Sequence, residues 1–403
     1  MDAETARGDF PFFDQPNAPV YLDSAATTHK PRCVIERLTR FYTYENANVQ
    51  RGGYTLAENA TRAFAQARAQ LAAWLGIPDE RIAFTMNATD ALNQAAAMLA
   101  ASRLRHGSNV VTTALEHHSS LLPWMEACRA AGAELRVLPL DVNGQPRLQD
   151  LETLSDANTA AAAVTAASNF TGWRTPLAQV LGFFRSRRIP VVVDAAQRIV
   201  HERLSFGELP CDFLCFSGHK LYGPMGIGVM AMAEEWAQSG VVRLGGGMVS
   251  EVGDVGYCRA KGIAGLEAGT PPVAQTLGLA SAIEYLQTHD APALWRHEEA
   301  LARRLRDGLR SIGEIHLVNG GGNPLPIVSF VSDVMHPADM EQLLSIRGFA
   351  LRCGRHCASI AHRRLRLSAT LRASFGLYNT QAEVDALLDA IREIHRRREH
   401  PHG

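Results

Sequence analysis

The strongest constraint on this chain is a repeated alternation of short apolar runs with helical stretches. Segments 82–85, 109–113, 135–138, 162–166, 191–193, 213–216 and 227–230 read as strands, and several are apolar without interruption. Such runs belong to sheets covered on both faces. Between them lie helical patterns at 59–75, 91–104, 120–131 and 177–187. The alternation predicts an α/β fold, a mostly parallel sheet with right-handed crossovers. After about Thr270 the texture changes: helical segments 275–287, 293–311, 337–347 and 381–397 surround a few strands, 327–331 among them. We therefore expect a large domain over 30–285 and a smaller α+β domain from 1–29 plus 286–403. Gly245-Gly246-Gly247 and Gly320-Gly321-Gly322 read as loops.

A chain of 403 residues, 46% of them hydrophobic, suits two cores. The formal charge of −1 gives no electrostatic reason to expect a nucleic-acid or membrane-surface partner. The basic tail from His395 to His400 reads as a solvated helix end. No apolar run reaches the roughly 20 residues of a membrane span. The polar start, Met1 to Phe13, has no basic stretch leading into an apolar one, so no secretory signal is expected. Seven scattered cysteines fit a reducing cytoplasm better than a disulfide framework, and no CxxC pair signals structural zinc.

In an open parallel sheet, ligands bind beyond the carboxyl ends of the strands, and three strand ends carry unusual residues. Val191-Val192-Val193 runs into Asp194-Ala195-Ala196-Gln197. A carboxylate ending a buried strand is costly unless it caps a helix or meets a cation, such as a protonated pyridine nitrogen. Phe213-Leu214-Cys215-Phe216 runs into Ser217-Gly218-His219-Lys220-Leu221-Tyr222-Gly223-Pro224. A loop lysine is ordinarily solvated, but one held in a cleft can lose its proton and form an imine. Ser217 and His219 beside it are potential phosphate donors. Thr112-Thr113-Ala114-Leu115-Glu116-His117-His118 offers a histidine, His117, that is a surface group, a zinc ligand or a flat partner for an aromatic cofactor. At Asn87-Ala88-Thr89 a strand turns into a helix, and the free amides of that start suit a phosphate. Asn87 and Thr89 serve equally well as helix caps.

Taken in order, these segments resemble the class V aminotransferase superfamily of fold-type I, and within it the group II cysteine desulfurases and selenocysteine lyases of the SUF type. The resemblance runs nearly end to end. It rests on Tyr21-Leu22-Asp23-Ser24-Ala25-Ala26-Thr27-Thr28, Arg51-Gly52-Gly53-Tyr54, Glu116-His117-His118, Ser168-Asn169, Asp194-Ala195-Ala196-Gln197, the Lys220 segment and Glu267-Ala268-Gly269-Thr270-Pro271. Toward the end, Arg352-Cys353-Gly354-Arg355-His356-Cys357-Ala358 and Arg372-Ala373-Ser374-Phe375-Gly376 extend it. The resemblance implies a seven-stranded sheet and pyridoxal 5'-phosphate (PLP) held as a Schiff base on Lys220. Asp194 is implied at the pyridine nitrogen, Gln197 at the ring hydroxyl and His117 on the ring face. Ala88, Thr89, Ser217 and His219 take the phosphate, and Thr270 reaches the phosphate of a second subunit, which implies a homodimer with shared sites. Asn169, Arg372, Arg352 and Ala26 bind the amino-acid substrate, Arg372 by a bidentate grip on its carboxylate. Cys357 is the implied nucleophile, taking sulfur from L-cysteine as a persulfide for an acceptor protein, with L-alanine as product; L-selenocysteine is the alternative substrate, one that can be cleaved without the thiol.

The chain departs from that pattern in places. Gln50 and Tyr54 stand where the family has histidines, Arg355 replaces a histidine near the nucleophile, and the phosphate turn has one hydroxyl fewer. Arg355 and His356 are expected to lower the Cys357 pKa. On a helix, Cys353, four residues earlier, would lie on one face with Cys357, where it could relay or protect the persulfide. Alternatives are another class V PLP enzyme (selenocysteine lyase, C–S lyase of secondary metabolism, or aminotransferase) and a non-catalytic sulfur or metal carrier.

Overall fold

A computed structural model describes residues 6–238, 243–318 and 322–399, with the side chains of 397–399 excepted. Gly320 and Gly321 of one expected loop, and His400 of the basic tail, lie outside those residues. The main sheet has seven strands: β1 (Ile82–Thr85), β2 (Asn109–Thr113), β3 (Glu134–Leu138), β4 (Thr159–Thr165), β5 (Val191–Asp194), β6 (Phe213–Ser217) and β7 (Gly228–Met232). Their spatial order is β1-β7-β6-β5-β4-β2-β3. All neighbours are parallel except β7, which is antiparallel to both β1 and β6. The cause is the β6–β7 connection, Gly218 to Ile227. It carries no crossover helix, and without one a chain can only turn back on itself. Lys220 sits in that turn.

Both faces of the sheet are buried except along the edge strand β3, and the period-two alternation shows in single strands. Leu214 and Phe216 of β6 join the cluster that holds α2 (Thr55–Leu75), α5 (Leu177–Ser186) and α6 (Val273–Thr288). Phe213 and Cys215 point the other way, into a cluster with α3 (Ala88–Arg103) and α4 (His118–Ala131). Cys211 and Cys215 are packing residues, both buried.

A second core surrounds a four-stranded antiparallel sheet: β8 (Ile315–Leu317), β9 (Ile327–Ser332), β10 (Arg352–Gly354) and β11 (Thr370–Ser374), in the order β8-β9-β11-β10. Leucines of α7 (Ala291–Arg310) and of α9 (Gln381–Glu399) pack on it. The N-terminal segment touches both cores: Ala6 and Phe10 join the large cluster, and Leu22 the small one. Asp23 then bridges to Ser374, laying Asp23–Ala26 alongside β11. His395 is not solvated as expected. It is 7% exposed, and its ring meets Ser332 Oγ at 3.1 Å.

No helix among the described residues is long and apolar enough to cross a membrane.

Candidate active site

The ends of β2, β4, β5 and β6 open on one cavity of about 240 Å³ that β10 and β11 close from the other side. All the sequence-predicted site residues line it except Thr270, which lies exposed outside it.

One end is built for an anion. Asn87 caps α3, its Oδ1 accepting from the Asp90 amide at 2.9 Å. The Ala88 amide donates to Ser217 Oγ at 2.7 Å, and the exposed Thr89 hydroxyl meets Ser119 Oγ at 2.7 Å. Gly228 permits this meeting of β7 and the turn: a Cβ there would lie 2.4 Å from the Asn87 carbonyl carbon. Ala88, Thr89, Ser217 and His219 thus share one wall at the positive end of a helix.

Lys220 occupies the middle. Burial lowers its pKa to about 8; the Asp194 charge opposes that shift, and Arg372 and Arg352 add to it. The turn that carries it is pinned from the N-terminal segment. The His219 carbonyl accepts from the Thr28 amide (3.1 Å), the Thr27 and Thr28 hydroxyls (3.1 Å each) and Lys30 Nζ (2.8 Å). Asp194 is 5% exposed, and one oxygen accepts from the Ala196 amide at 3.0 Å. Burial raises its pKa, against the pull of that bond and of Lys220. Gln197 Nε2 donates to the Ala25 carbonyl at 2.8 Å.

His117 is neutral. Burial and the Lys220 charge lower its pKa to about 3. The Ser119 amide donates to its Nδ1 at 3.1 Å, so the proton resides on Nε2. His219 is likewise lowered to about 4, by burial, then Lys220 and Lys30. Two uncharged imidazoles therefore flank the lysine.

The far end carries positive charge. Arg372 is 1% exposed, yet its fork is engaged: Nη1 donates to the Asn169 carbonyl at 2.9 Å and Nη2 to Asp23 Oδ1 at 2.8 Å. Asp23 also pairs with Arg352 Nε at 3.4 Å. The free fork expected for a bidentate grip is thus shared with an internal carboxylate, and any carboxylate entering the cavity would have to compete with Asp23 or bridge to Arg352. Arg372→Lys keeps the charge but loses the planar fork. Losing one charge-assisted bond of about 1.5–3 kcal/mol should raise KM for the amino acid by roughly ten- to a hundredfold, with a smaller change in kcat. Steady-state kinetics checks this.

Cys357 is exposed at the cavity mouth, and its backbone is unusual: His356 and Cys357 take φ of +49° and +53° in succession. For residues with a Cβ this costs on the order of 1–3 kcal/mol each. Three hydrogen bonds oppose the cost. Asn169 Nδ2 donates to the His356 carbonyl (2.7 Å), the His118 amide to the Cys357 carbonyl (2.9 Å), and the Ala358 amide to the Arg355 carbonyl (2.8 Å). Two expectations are corrected here. His356 is buried and held neutral, its pKa lowered to about 2 by burial first and by Arg372 next, so it brings no positive charge to the thiol. Arg355 turns away, its Nε donating to the Ser368 carbonyl at 3.1 Å. Nor do Cys353 and Cys357 share a helix: Cys353 is on β10, half-buried, and Gly354 at φ +128° breaks the chain direction after it.

Sequence reasoning missed Asp23, the Thr27-Thr28-Lys30 clasp and His118. It also missed Glu116, whose carboxyl is fully buried between Thr113 Oγ1 (2.8 Å) and the Thr165 amide (2.7 Å). Burial lifts its pKa to about 8.

The chain is similar to known proteins over nearly its whole length. The model of the family described as Aminotransferase class-V matches residues 20–387. A probable cysteine desulfurase of Pseudomonas putida is 39% identical, covering 96% of each chain, and one of Vibrio cholerae is 36% identical, covering 97% of this chain and 98% of its own. Among solved structures, the cysteine desulfurase CsdA of Escherichia coli superposes with a TM-score of 0.91 at 35% identity, over 98% of each chain. That of Thermococcus onnurineus superposes with a TM-score of 0.92 at 32% identity, again over 98% of each. With its seven-stranded sheet and these relatives in agreement, the chain belongs to the class-V aminotransferase family and has the fold-type I architecture.

Proposed function

We propose that this chain is a PLP-dependent cysteine desulfurase that converts L-cysteine to L-alanine and carries the sulfur on Cys357 as a persulfide. The observation that carries the reading is one cavity holding both a lysine of lowered pKa, Lys220, and an accessible thiol on a braced loop, Cys357.

The lining fits PLP. Ala88, Thr89, Ser217 and His219 would hold its phosphate, Asp194 its pyridine nitrogen, Gln197 its hydroxyl and His117 its ring face. A neutral His117 suits a ring face, because a second cation there would repel the pyridinium. Asp194, buried and short of partners, acquires in the pyridinium the cation that its burial demands. When bound, PLP supplies an electron sink that weakens the bonds to the substrate α-carbon. The chain's own residues do the rest. Arg372 and Arg352 orient the substrate carboxylate. Lys220 Nζ, with its pKa near the working pH, takes up and returns the α-proton. Cys357 Sγ, as thiolate, attacks the substrate sulfur; an S–S bond forms as the Cβ–S bond breaks, and the protonated three-carbon remainder leaves as alanine. An acceptor protein or thiol then removes the sulfur.

A homodimer is part of the proposal. Met225, Leu244, Val252 and Val255 are each more than 60% exposed, and apolar side chains left in solvent suit coverage by a second copy. Exposed Thr270 is then available to a neighbouring site. Seven cysteines, an odd and scattered count, fit a reducing, cytoplasmic setting.

A single-turnover incubation with L-cysteine, without any added thiol that would strip the persulfide, tests the main reading. Stoichiometric alanine and an added sulfur on the Cys357 peptide are expected; alanine without that adduct defeats the persulfide route. The lowered Lys220 pKa makes a second prediction. Only the uncharged amine forms an imine, so cofactor-stripped protein should recapture PLP faster as pH rises through about 8 and level off above it. Stopped-flow absorbance against pH measures this, and a profile still climbing at pH 10 would contradict a Lys220 pKa lowered by burial.

A further inference from the structure

Two adjacent histidines at the start of α4 face different tasks. His117 lines the cavity. His118 faces the sulfur-carrying loop, and it holds that loop twice. Its amide donates to the Cys357 carbonyl at 2.9 Å. Its ring Nε2 lies 3.1 Å from Ser359 Oγ and accepts from the Ser359 amide at 3.3 Å. A ring nitrogen that accepts an amide proton bears none of its own, so Ser359 Oγ is the donor to it as well. The residues on either side of Ala358 are therefore tied to one residue of α4. The loop needs such ties, because its two successive left-handed residues relax on release.

The geometry points to His118 as a positioning residue for Cys357: its ring keeps the thiol docked at the cavity mouth. It touches neither substrate nor cofactor in this role, and it rests on the reading of Cys357 as the sulfur-accepting nucleophile. The same helix start thus presents His117 to the cofactor cavity and fixes where the nucleophile stands, so the two are held in register by one turn of helix. The backbone bond from His118 survives any substitution. The ring bonds do not, and they are what the test isolates.

The test uses holoenzyme and two independent readouts. In His118→Ala, hydrogen exchange of the peptide spanning Arg355 to Ala361 should quicken by about five- to tenfold, the effect of losing ring bonds of ordinary strength. Exchange in β5 and β6 should stay as it was. With cysteine, kcat for alanine should fall by a similar factor while KM holds, because the Arg372 grip is untouched. His118→Gln, whose Oε1 can accept from the Ser359 amide, should restore both. Ser359→Ala should show a smaller effect, and the double variant His118→Ala/Ser359→Ala should be no worse than His118→Ala alone. If His118→Ala folds poorly, the Ser359→Ala and His118→Gln comparison still decides. Unchanged loop exchange overturns the proposal whatever happens to turnover, and so does a loss that glutamine does not restore. Because exchange is read without substrate, quickened exchange in a protein that makes no persulfide would sink the desulfurase reading and leave the clamp standing.

Discussion

Lys220→Ala should yield a folded protein that binds PLP weakly, without the visible imine band, and turns over L-cysteine roughly a hundred- to ten-thousand-fold more slowly. The loss has two sources, both at Nζ: the covalent anchor and the mobile proton. They separate experimentally. An added primary amine restores part of a lost proton transfer but no anchor, so partial rescue should appear in kcat and not in cofactor retention. The fold should survive, because the turn is held by the His219 carbonyl and its four donors and not by the lysine side chain. Absorbance, bound-cofactor stoichiometry and thermal melting together check this. A variant that keeps a borohydride-reducible band would place the cofactor on another lysine.

Cys357→Ala should do the reverse: the visible band persists, substrate still perturbs it, and alanine formation collapses. A free thiol in solution at millimolar concentration is a poor replacement for a sulfur held in place, where effective molarities reach about 10⁵ M or more. The fall should therefore be at least roughly a hundredfold. Alanine measured by chromatography under fixed thiol decides it, and near-normal turnover would move the chain to a lyase mechanism that needs no protein sulfur. Cys353→Ser should leave the rate unchanged. That thiol is half-buried on a strand, and burial with the nearby Glu341 raises its pKa, which disfavours the thiolate that sulfur transfer requires.

Most strands of the main sheet were legible because they are buried on both faces; the edge strand β3 is partly exposed. Phe213 to Phe216 has no solvent side to interrupt its apolar run, and the same holds for Val191 to Val193. The residues at the ends of those strands were legible for a related reason. Asp194 and Lys220 are charges where the pattern calls for none, and the structure places both on the cavity. What could not be read was pairing across the chain. Asp23 reaches Arg372 over 349 positions of sequence, and His118 reaches Ser359 over 241. No local periodicity encodes such meetings. The character of the Cys357 loop was misjudged because a sequence shows that Arg355 and His356 are basic in type. It does not show that one turns away and the other is too buried to hold a proton. Spacing alone suggested a helix through Cys353 and Cys357, and a positive φ at Gly354 forbids it.

The walls of the cavity come from distant parts of the polypeptide. Asp23 to Thr28 lie near its beginning, and Arg352 to Arg372 are among its last elements; the two are joined by the pairing of Asp23 with Ser374. During synthesis the main sheet can form first, but the socket has only part of its rim until β11 leaves the ribosome and meets the opening segment. Capture of the proposed PLP then waits on that meeting, and the yellow colour of a holoprotein would certify that two segments far apart in sequence have found each other.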